Sequence, residues 1–430
     1  MYRKVLKELE KWKKSKDRKP LILSGARQVG KTWLLQHFGE ENYSSVVYIN
    51  MEDTPGMEEV FAPDLDVERI LRAIENIKNV RIIPGETLLI FDEIQAVPRA
   101  LSSLKYFCEN APEYHVAVAG SLLGVALHSG TSFPVGKVDS VDVLPMDFYE
   151  FLKAIGEDGY AKVISGEGVS LDESPVFHEK LTDYLRAYMV VGGMPEAVDN
   201  YRRGENFAKI REIQAQIIDA YELDFSKHAP NADTPKIREI YDVAPTFLSR
   251  ENKKFVFNAI RESARAREYD SALLWMEDAG LVSRVERVNA VKIPLKAYAS
   301  RNIFKLFFSD IGLLGAKAQI PPQTIMDSGV LFEEYKGAFA EQFVFQELRA
   351  RKTPTYYYSN DDSKGEIDFL IQDEDQIVPV EVKSGKNLAS VSLNNFVSKW
   401  DIPRGVKVSI LPYKKNDKID NFPLYLVSRI

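Results

Sequence analysis

The chain has 430 residues, 45% hydrophobic and 28% charged, with a formal net charge of −7; these values exclude wholesale disorder and a protein coated throughout in nucleic acid. One cysteine, Cys108, leaves no internal disulfide, and the five histidines show no zinc-ligand spacing. The first 20 residues hold no apolar leader and no later run approaches the roughly 18 apolar residues that cross a bilayer, so the expectation is a cytoplasmic protein without a membrane partner.

At about 150 residues per domain the length predicts two to four domains. Residues 1–20 carry nine Lys/Arg against three acids, a net of +6. They read as a basic helix with Val5, Leu6, Leu9 and Trp12 on its inner face, favoured as a docking helix over a nucleic-acid arm. Leu21, Ile22 and Leu23 then predict a short buried strand, Gly25 to Thr32 fit the spacing G-x-x-x-x-G-K-T, and Trp33, Leu34 and Leu35 open a helix. Strand, loop and helix in that order form a phosphate cradle. Gly25, Ala26, Arg27, Gln28, Val29 and Gly30 turn backbone N–H groups towards phosphate oxygens, with Trp33 at the helix start. Lys31 adds a charge near the β- and γ-phosphates and the Thr32 hydroxyl holds Mg²⁺.

Ser45 to Met51 reads as a second strand and Val67 to Ile77 as a helix. Leu88 to Phe91 form a continuous apolar run, as in a strand buried on both faces, ending at Asp92 and Glu93. Asp92 is assigned to the metal and Glu93 to the attacking water; the alternative is two acids capping the next helix. Val116 to Gly120 predict another strand ending at Ser121, whose hydroxyl would sense the γ-phosphate or cap a helix.

Gly25-Ala26-Arg27-Gln28-Val29-Gly30-Lys31-Thr32, Asp92-Glu93-Ile94-Gln95, Ala119-Gly120-Ser121-Leu122-Leu123 and Leu144 to Leu152 resemble the AAA-type branch of P-loop ATPases. More narrowly, they resemble a prokaryotic group in which such a module is fused to a C-terminal domain of unassigned role. The resemblance implies ATP as cofactor, and an arginine finger in a Gly-Arg pair ahead of the Leu-Pro segment. Here that pair is Gly136-Lys137, and lysine lacks the planar fork of arginine.

Gly156 to Ser174 reads as a long surface loop or a partly ordered excursion. Helical periodicity resumes at Leu181, Leu185, Tyr188 and Met189, and Gly192-Gly193-Met194-Pro195 breaks it, read as setting an interhelical angle. Residues 250–301 carry eleven Lys/Arg against seven acids, net +4. Helices at 255–260 and 271–279 with strands at 281–285 and 292–298 predict a winged helix, for a major groove or for another protein.

Beyond it, Gly365 to Ile371 and Ile377 to Ser384 predict two strands with acids at alternating positions. Asp368, Glu381-Val382-Lys383 and Glu341 on an upstream helix resemble the PD-(D/E)XK nuclease arrangement. The resemblance implies Mg²⁺ on Asp368 and Glu381, with Lys383 positioning water or stabilising charge at phosphorus. The bland alternative is an exposed hairpin with a Glu–Lys pair.

The expected chain is α/β: an AAA-type P-loop NTPase parallel sheet over 1–155 with a helical lid, a helical region over 156–240, a winged-helix-like domain over 241–320 and a restriction-endonuclease-like domain over 321–430. Its catalytic residues are Lys31, Glu93, Ser121, Glu341, Asp368, Glu381 and Lys383, its metal ligands Thr32, Asp92, Asp368 and Glu381. The expected activity is ATP hydrolysis whose nucleotide state gates a nuclease-like domain on DNA or RNA, in a homo-oligomer. The alternative is an ATPase switch whose C-terminal domain is a silent scaffold.

Overall fold

The computed structural model describes all residues except 121–133, 250–253, 256, 258–259, 262–263, 328–332, 361–364 and 384–389, and the side chains of 247–249 and 333–336. The chain folds into two compact units: Arg3–Leu144 with Asp278–Gly280, and Met1–Tyr2, Pro145–Glu277 and Leu281–Ile430. Among the described residues no helix is long and apolar enough to cross a membrane.

In the first unit the basic segment forms α1 (Val5–Lys14), which buries Val5, Leu9 and Trp12 at helical spacing. Three lysines in its last turn favour the negative end of the helix dipole, and the Trp12 indole donates to Lys19 O at 2.8 Å. The helix is docked, with its charges outward. There follow β1 (Leu21–Ser24), α2 (Lys31–Asn42), β2 (Ser45–Asn50), α3 (Met57–Phe61), α4 (Val67–Lys78), β3 (Thr87–Asp92), α5 (Pro98–Asn110), β4 (His115–Ala119) and β5 (Asp139–Asp142). The strands form one parallel sheet in the order β2-β3-β4-β1-β5. Every residue of β3 and β4 is buried, as in strands covered on both faces. Phe91 meets Phe61 and Phe107 edge-on, with ring centres 6.1 and 6.3 Å apart; each such buried ring contributes about 1.5–3 kcal/mol of apolar transfer. Leu23 lies opposite Ala119, and Phe91 opposite Val118. The carboxyl ends of β1, β3 and β4 therefore share one edge, where open parallel sheets bind ligands.

The second unit begins with α6 (Phe148–Ala154), whose capping box pairs Asp147 with the Glu150 N–H and Glu150 with the Asp147 N–H. The loop expected at 156–174 contains a helix instead, α7 (Asp158–Ser165), which buries Ala161, Val163 and Ile164. Glycines flank that helix and hid its short apolar face. Next come α8 (His178–Val191), α9 (Pro195–Arg202), α10 (Phe207–His228), α11 (Thr234–Val243) and α12 (Ala266–Asp278). The Gly-Gly turn does more than set an angle. A Cβ on Gly192 would lie 2.2 Å from Asp310 Oδ1 and one on Gly193 2.0 Å from Met146 O. Bare backbone lets the buried Asp310 accept from Gly193 N at 2.6 Å and from Leu313 N at 3.0 Å. Burial pushes the Asp310 carboxyl up, against the pull of those N–H groups.

The rest of the unit is organised by one mixed sheet. Its strands are β6 (Val282–Val288), β7 (Ala299–Phe308), β8 (Thr355–Ser359), β9 (Glu366–Asp373), β10 (Gln376–Lys383), β11 (Gly405–Ser409) and β12 (Ile419–Pro423), in the order β12-β11-β10-β9-β8-β6-β7. The helices α13 (Ile311–Lys317), α14 (Pro322–Met326), α15 (Glu333–Ala350) and α16 (Val391–Lys399) accompany it. This corrects the winged-helix expectation over 241–320. The hairpin β6–β7 is an edge of the C-terminal sheet, because β6 pairs in parallel with β8 at Arg287–Tyr357 and Val288–Tyr358. The strand expected at 292–298 is a coil with a 3-10 turn at Leu295–Tyr298; Phe255, expected to begin a helix, donates its N–H to Phe304 O of β7, and the preceding Lys254 bridges Lys305. The seam between β7 and α15 is closed by Gln342, which accepts from Phe308 N at 3.0 Å and donates to Phe308 O at 2.8 Å.

Candidate functional site

The loop after β1 is shaped by three residues with positive φ: Gly25 at 137°, Gln28 at 64° and Gly30 at 91°. Gly25 has no substitute, since a Cβ there would sit 2.1 Å from Val143 O. Ala26 and Val29 are buried beneath the bend. Arg3 fixes it from outside the loop: its guanidinium donates to Val29 O at 2.8 Å and Leu144 O at 2.7 Å. Gly30 caps α2, so the positive end of that helix faces the cradle.

Lys31 is only 7% exposed, and its ammonium is held by Gly25 O at 2.9 Å and Ala26 O at 2.7 Å. Burial pushes its pKa down to about 8, with Glu93 and Asp92 pulling upward and Arg27 adding to the fall. Thr32 Oγ1 donates to Asp92 Oδ2 at 2.6 Å, and the same oxygen accepts from Tyr48 Oη at 2.9 Å. Burial, then Asp92, holds the Tyr48 phenol well above its ordinary value. Glu93 follows at φ 48°, its Oε2 accepting from Gln95 Nε2 at 2.5 Å. Trp33 is 41% exposed and stacks on His37 with ring centres 4.6 Å apart. Arg27 is half-buried and Gln28 exposed. Ser121 lies outside the described residues. Lys137 pairs with Glu109 of α5 at 2.9 Å, and that partner raises its pKa. The loop amides and Lys31 suit polyphosphate; the Thr32 hydroxyl and Asp92 carboxylate are the hard oxygen donors Mg²⁺ takes. The residues present fit ATP and Mg²⁺.

The C-terminal candidates are arranged differently. In the β9–β10 hairpin Val380 lies opposite Phe369, so the next step sets Glu381 beside Asp368. Asp368 Oδ2 accepts from Val382 N at 2.8 Å, and Lys383 pairs with Glu381 Oε1 at 2.8 Å. Glu381 is 3% exposed, and its Oε2 has no hydrogen-bond partner among the described residues. Glu341, from α15, and Asp368 meet about a residue not foreseen. Lys305 of β7, 1% exposed, places Nζ 2.6 Å from Glu366 Oε1, 3.3 Å from Glu341 Oε2 and 3.5 Å from Asp368 Oδ1. Burial opposes its charge, but Glu341, Asp368 and Glu366 outweigh that and hold its pKa well above the ordinary lysine value. Among the described residues no group of three or more His, Cys, Asp or Glu is placed to hold a metal ion. Asp368 and Glu381, expected to share Mg²⁺, each face a lysine: Lys305 Nζ lies 3.5 Å from Asp368 Oδ1 and Lys383 Nζ 2.8 Å from Glu381 Oε1.

Residues 17–152 match a family model described as an AAA domain. The first unit is an AAA-type P-loop domain. Two further models, described as domains of unknown function (DUF8612 and DUF4143), match residues 182–324 and 336–427. No curated protein matches the chain. Among solved structures it is similar to Orc1 of Aeropyrum pernix in complex with DNA (14% identity, 74% of this chain and 91% of that chain, TM-score 0.30). It is also similar to RuvB of Thermotoga maritima (14%, 65% and 88%, 0.30) and to AMPPCP-bound DnaA of Aquifex aeolicus (17%, 64% and 85%, 0.30). Superpositions this loose place no residue.

Sequence reasoning assigns no role in the AAA-type domain to Arg3, Tyr48 or Gln95. Arg3 falls among the solvated basic residues of the first segment, although it lies outside the run of helical spacing. Tyr48 gives no signal until β2 is set beside β3, with Asn50 opposite Asp92. In the second unit Lys305 does leave a trace: it interrupts the apolar run from Ile303 to Phe308.

Proposed function

We propose that the chain binds ATP with Mg²⁺ and hydrolyses it at the P-loop, acting as a nucleotide-driven switch, in the cytoplasm and as a homo-oligomer. The carrying observation is the 2.6 Å contact of Thr32 with Asp92 at the end of a loop whose lysine is held, among the described residues, by two carbonyls. Lys31 exchanges Gly25 O and Ala26 O for phosphate oxygens, which repay its desolvation better. Thr32 and Asp92 hold Mg²⁺, which when bound offsets the charge developing on the phosphates. Glu93 orients the attacking water and takes its proton, while Gln95 fixes the carboxylate. Phosphate release from the purified chain tests this: turnover that persists unchanged in Glu93→Gln, or no ATP binding by calorimetry, overturns it.

A second reading has nucleotide state gating Mg²⁺-dependent cleavage of DNA or RNA by Glu341, Asp368, Glu381 and Lys383. The juxtaposition of Asp368 with Glu381-Val382-Lys383 favours it; the ammonium among the acids favours a scaffold. Incubation with plasmid, with and without Mg²⁺ and ATP, separates them. Cleavage lost in Lys383→Ala selects the nuclease, and intact plasmid with ATP turnover selects the scaffold.

A further inference from the structure

We propose that Lys305 is the resident cation of the C-terminal domain, occupying the place a divalent ion would need, so that this domain neither takes Mg²⁺ nor cleaves phosphodiesters. Three carboxylate oxygens, from α15 and from two positions on β9, converge on one ammonium at 2.6, 3.3 and 3.5 Å. An ion bound to Asp368 Oδ1 at the Mg²⁺–oxygen distance of about 2.0–2.1 Å would stand beside that ammonium, against a like charge. Two further oxygens nearby are engaged as well. Asp368 Oδ2 accepts from Val382 N, and Glu381 Oε1 is taken by Lys383.

The sheet fixes where the Lys305 side chain starts. Its backbone is paired within β7, opposite Val285 of β6, and on its other edge meets Lys254. The Tyr357 ring, 5.2 Å from Nζ, closes another side. Glu381 Oε2 is buried with no hydrogen-bond partner among the described residues, one carboxylate oxygen that a hydrated ion could reach, so the test below titrates metal directly. The acids hold an internal ion pair network that fastens α15 and β7 to β9.

The test uses the full chain without nucleotide, its P-loop metal ligands removed by Thr32→Ala and Asp92→Asn, and Mn²⁺ as the probe. It therefore fails or succeeds independently of ATP hydrolysis. With Lys305 in place, spectroscopic titration should show no bound Mn²⁺, unchanged by Asp368→Asn. Adding Lys305→Ala should lower Tm in EDTA, Mn²⁺ should recover part of the loss, and a further Asp368→Asn should abolish that recovery. Stoichiometric Mn²⁺ binding with Lys305 intact and lost in Asp368→Asn overturns the proposal. So does a folded Lys305→Ala chain whose Tm is unchanged and indifferent to Mn²⁺. The titration with Lys305 intact needs no lysine variant to fold.

Discussion

Lys31 and Lys305 are both nearly sealed from water and both lie near carboxylates, yet the fold treats their charges in opposite ways. Lys31 is held by two carbonyls, with its pKa pushed down to about 8 by burial. Lys305 is surrounded by Glu341, Glu366 and Asp368, and its pKa is pushed up despite complete burial. The first lysine is desolvated, and among the described residues its hydrogen bonds go to carbonyls rather than to a carboxylate, a state that a phosphate relieves. The second already has its anions. A buried lysine beside acids therefore marks a ligand site only when the acids are spoken for elsewhere, as Asp92 is by Thr32 and Tyr48.

The contrast can be broken most sharply at Glu93. Glu93→Gln should lower ATP turnover by roughly 10²–10⁴-fold with ATP affinity retained, measured by phosphate release and calorimetry. Next in size is a matched pair of lysine substitutions followed by chemical denaturation without nucleotide. Lys305→Met should cost about 3–5 kcal/mol, because it strands buried carboxylates. Lys31→Met should stay within about 1 kcal/mol, since it removes a desolvated charge, while weakening ATP binding severely. Equal losses in the two variants would erase the distinction. Tyr48→Phe should cost about 1 kcal/mol by deleting one donor to Asp92, with the fold intact by circular dichroism.

The smallest effect concerns protons. Phosphate raises the depressed pKa of Lys31, so binding ATP should take up about half a proton at pH 8 and little below pH 7, read from calorimetry in buffers of different ionisation heat. The folded pKa of Lys31 lies below the ordinary lysine value of 10.5, so its contribution grows as pH rises from about 8 to 10.5 and is lost as pH falls. Lys305 has the opposite sign, its contribution full below 10.5 and declining only above it.

The loop from Gly25 to Thr32 and the strand ending at Asp92 were legible because local spacing carries their chemistry: each depends on neighbours in sequence. The pairing of Asp368 with Glu381 was legible for the same reason, as a hairpin needs only alternation and a short turn. What stayed hidden depends on long-range partners. Arg3 reaches Val29 and Leu144 through tertiary approach, and Lys305 reaches Glu341 and Glu366 from a strand whose sheet could not be assigned. The hairpin at 282–308 carries an apolar pattern equally suited to a wing and to a sheet edge; only the parallel pairing of β6 with β8 distinguishes them.

That pairing has a practical consequence for dissection of the molecule. A fragment begun at residue 321, where sequence alone suggests a cut, would strip β6 and β7 from the sheet and leave the backbone of β8 as an open, sticky edge. It would also carry Glu341, Glu366 and Asp368 away without their ammonium. Such a piece is expected to aggregate or to scavenge stray cations, and metal found in it would report the severed sheet rather than the intact chain.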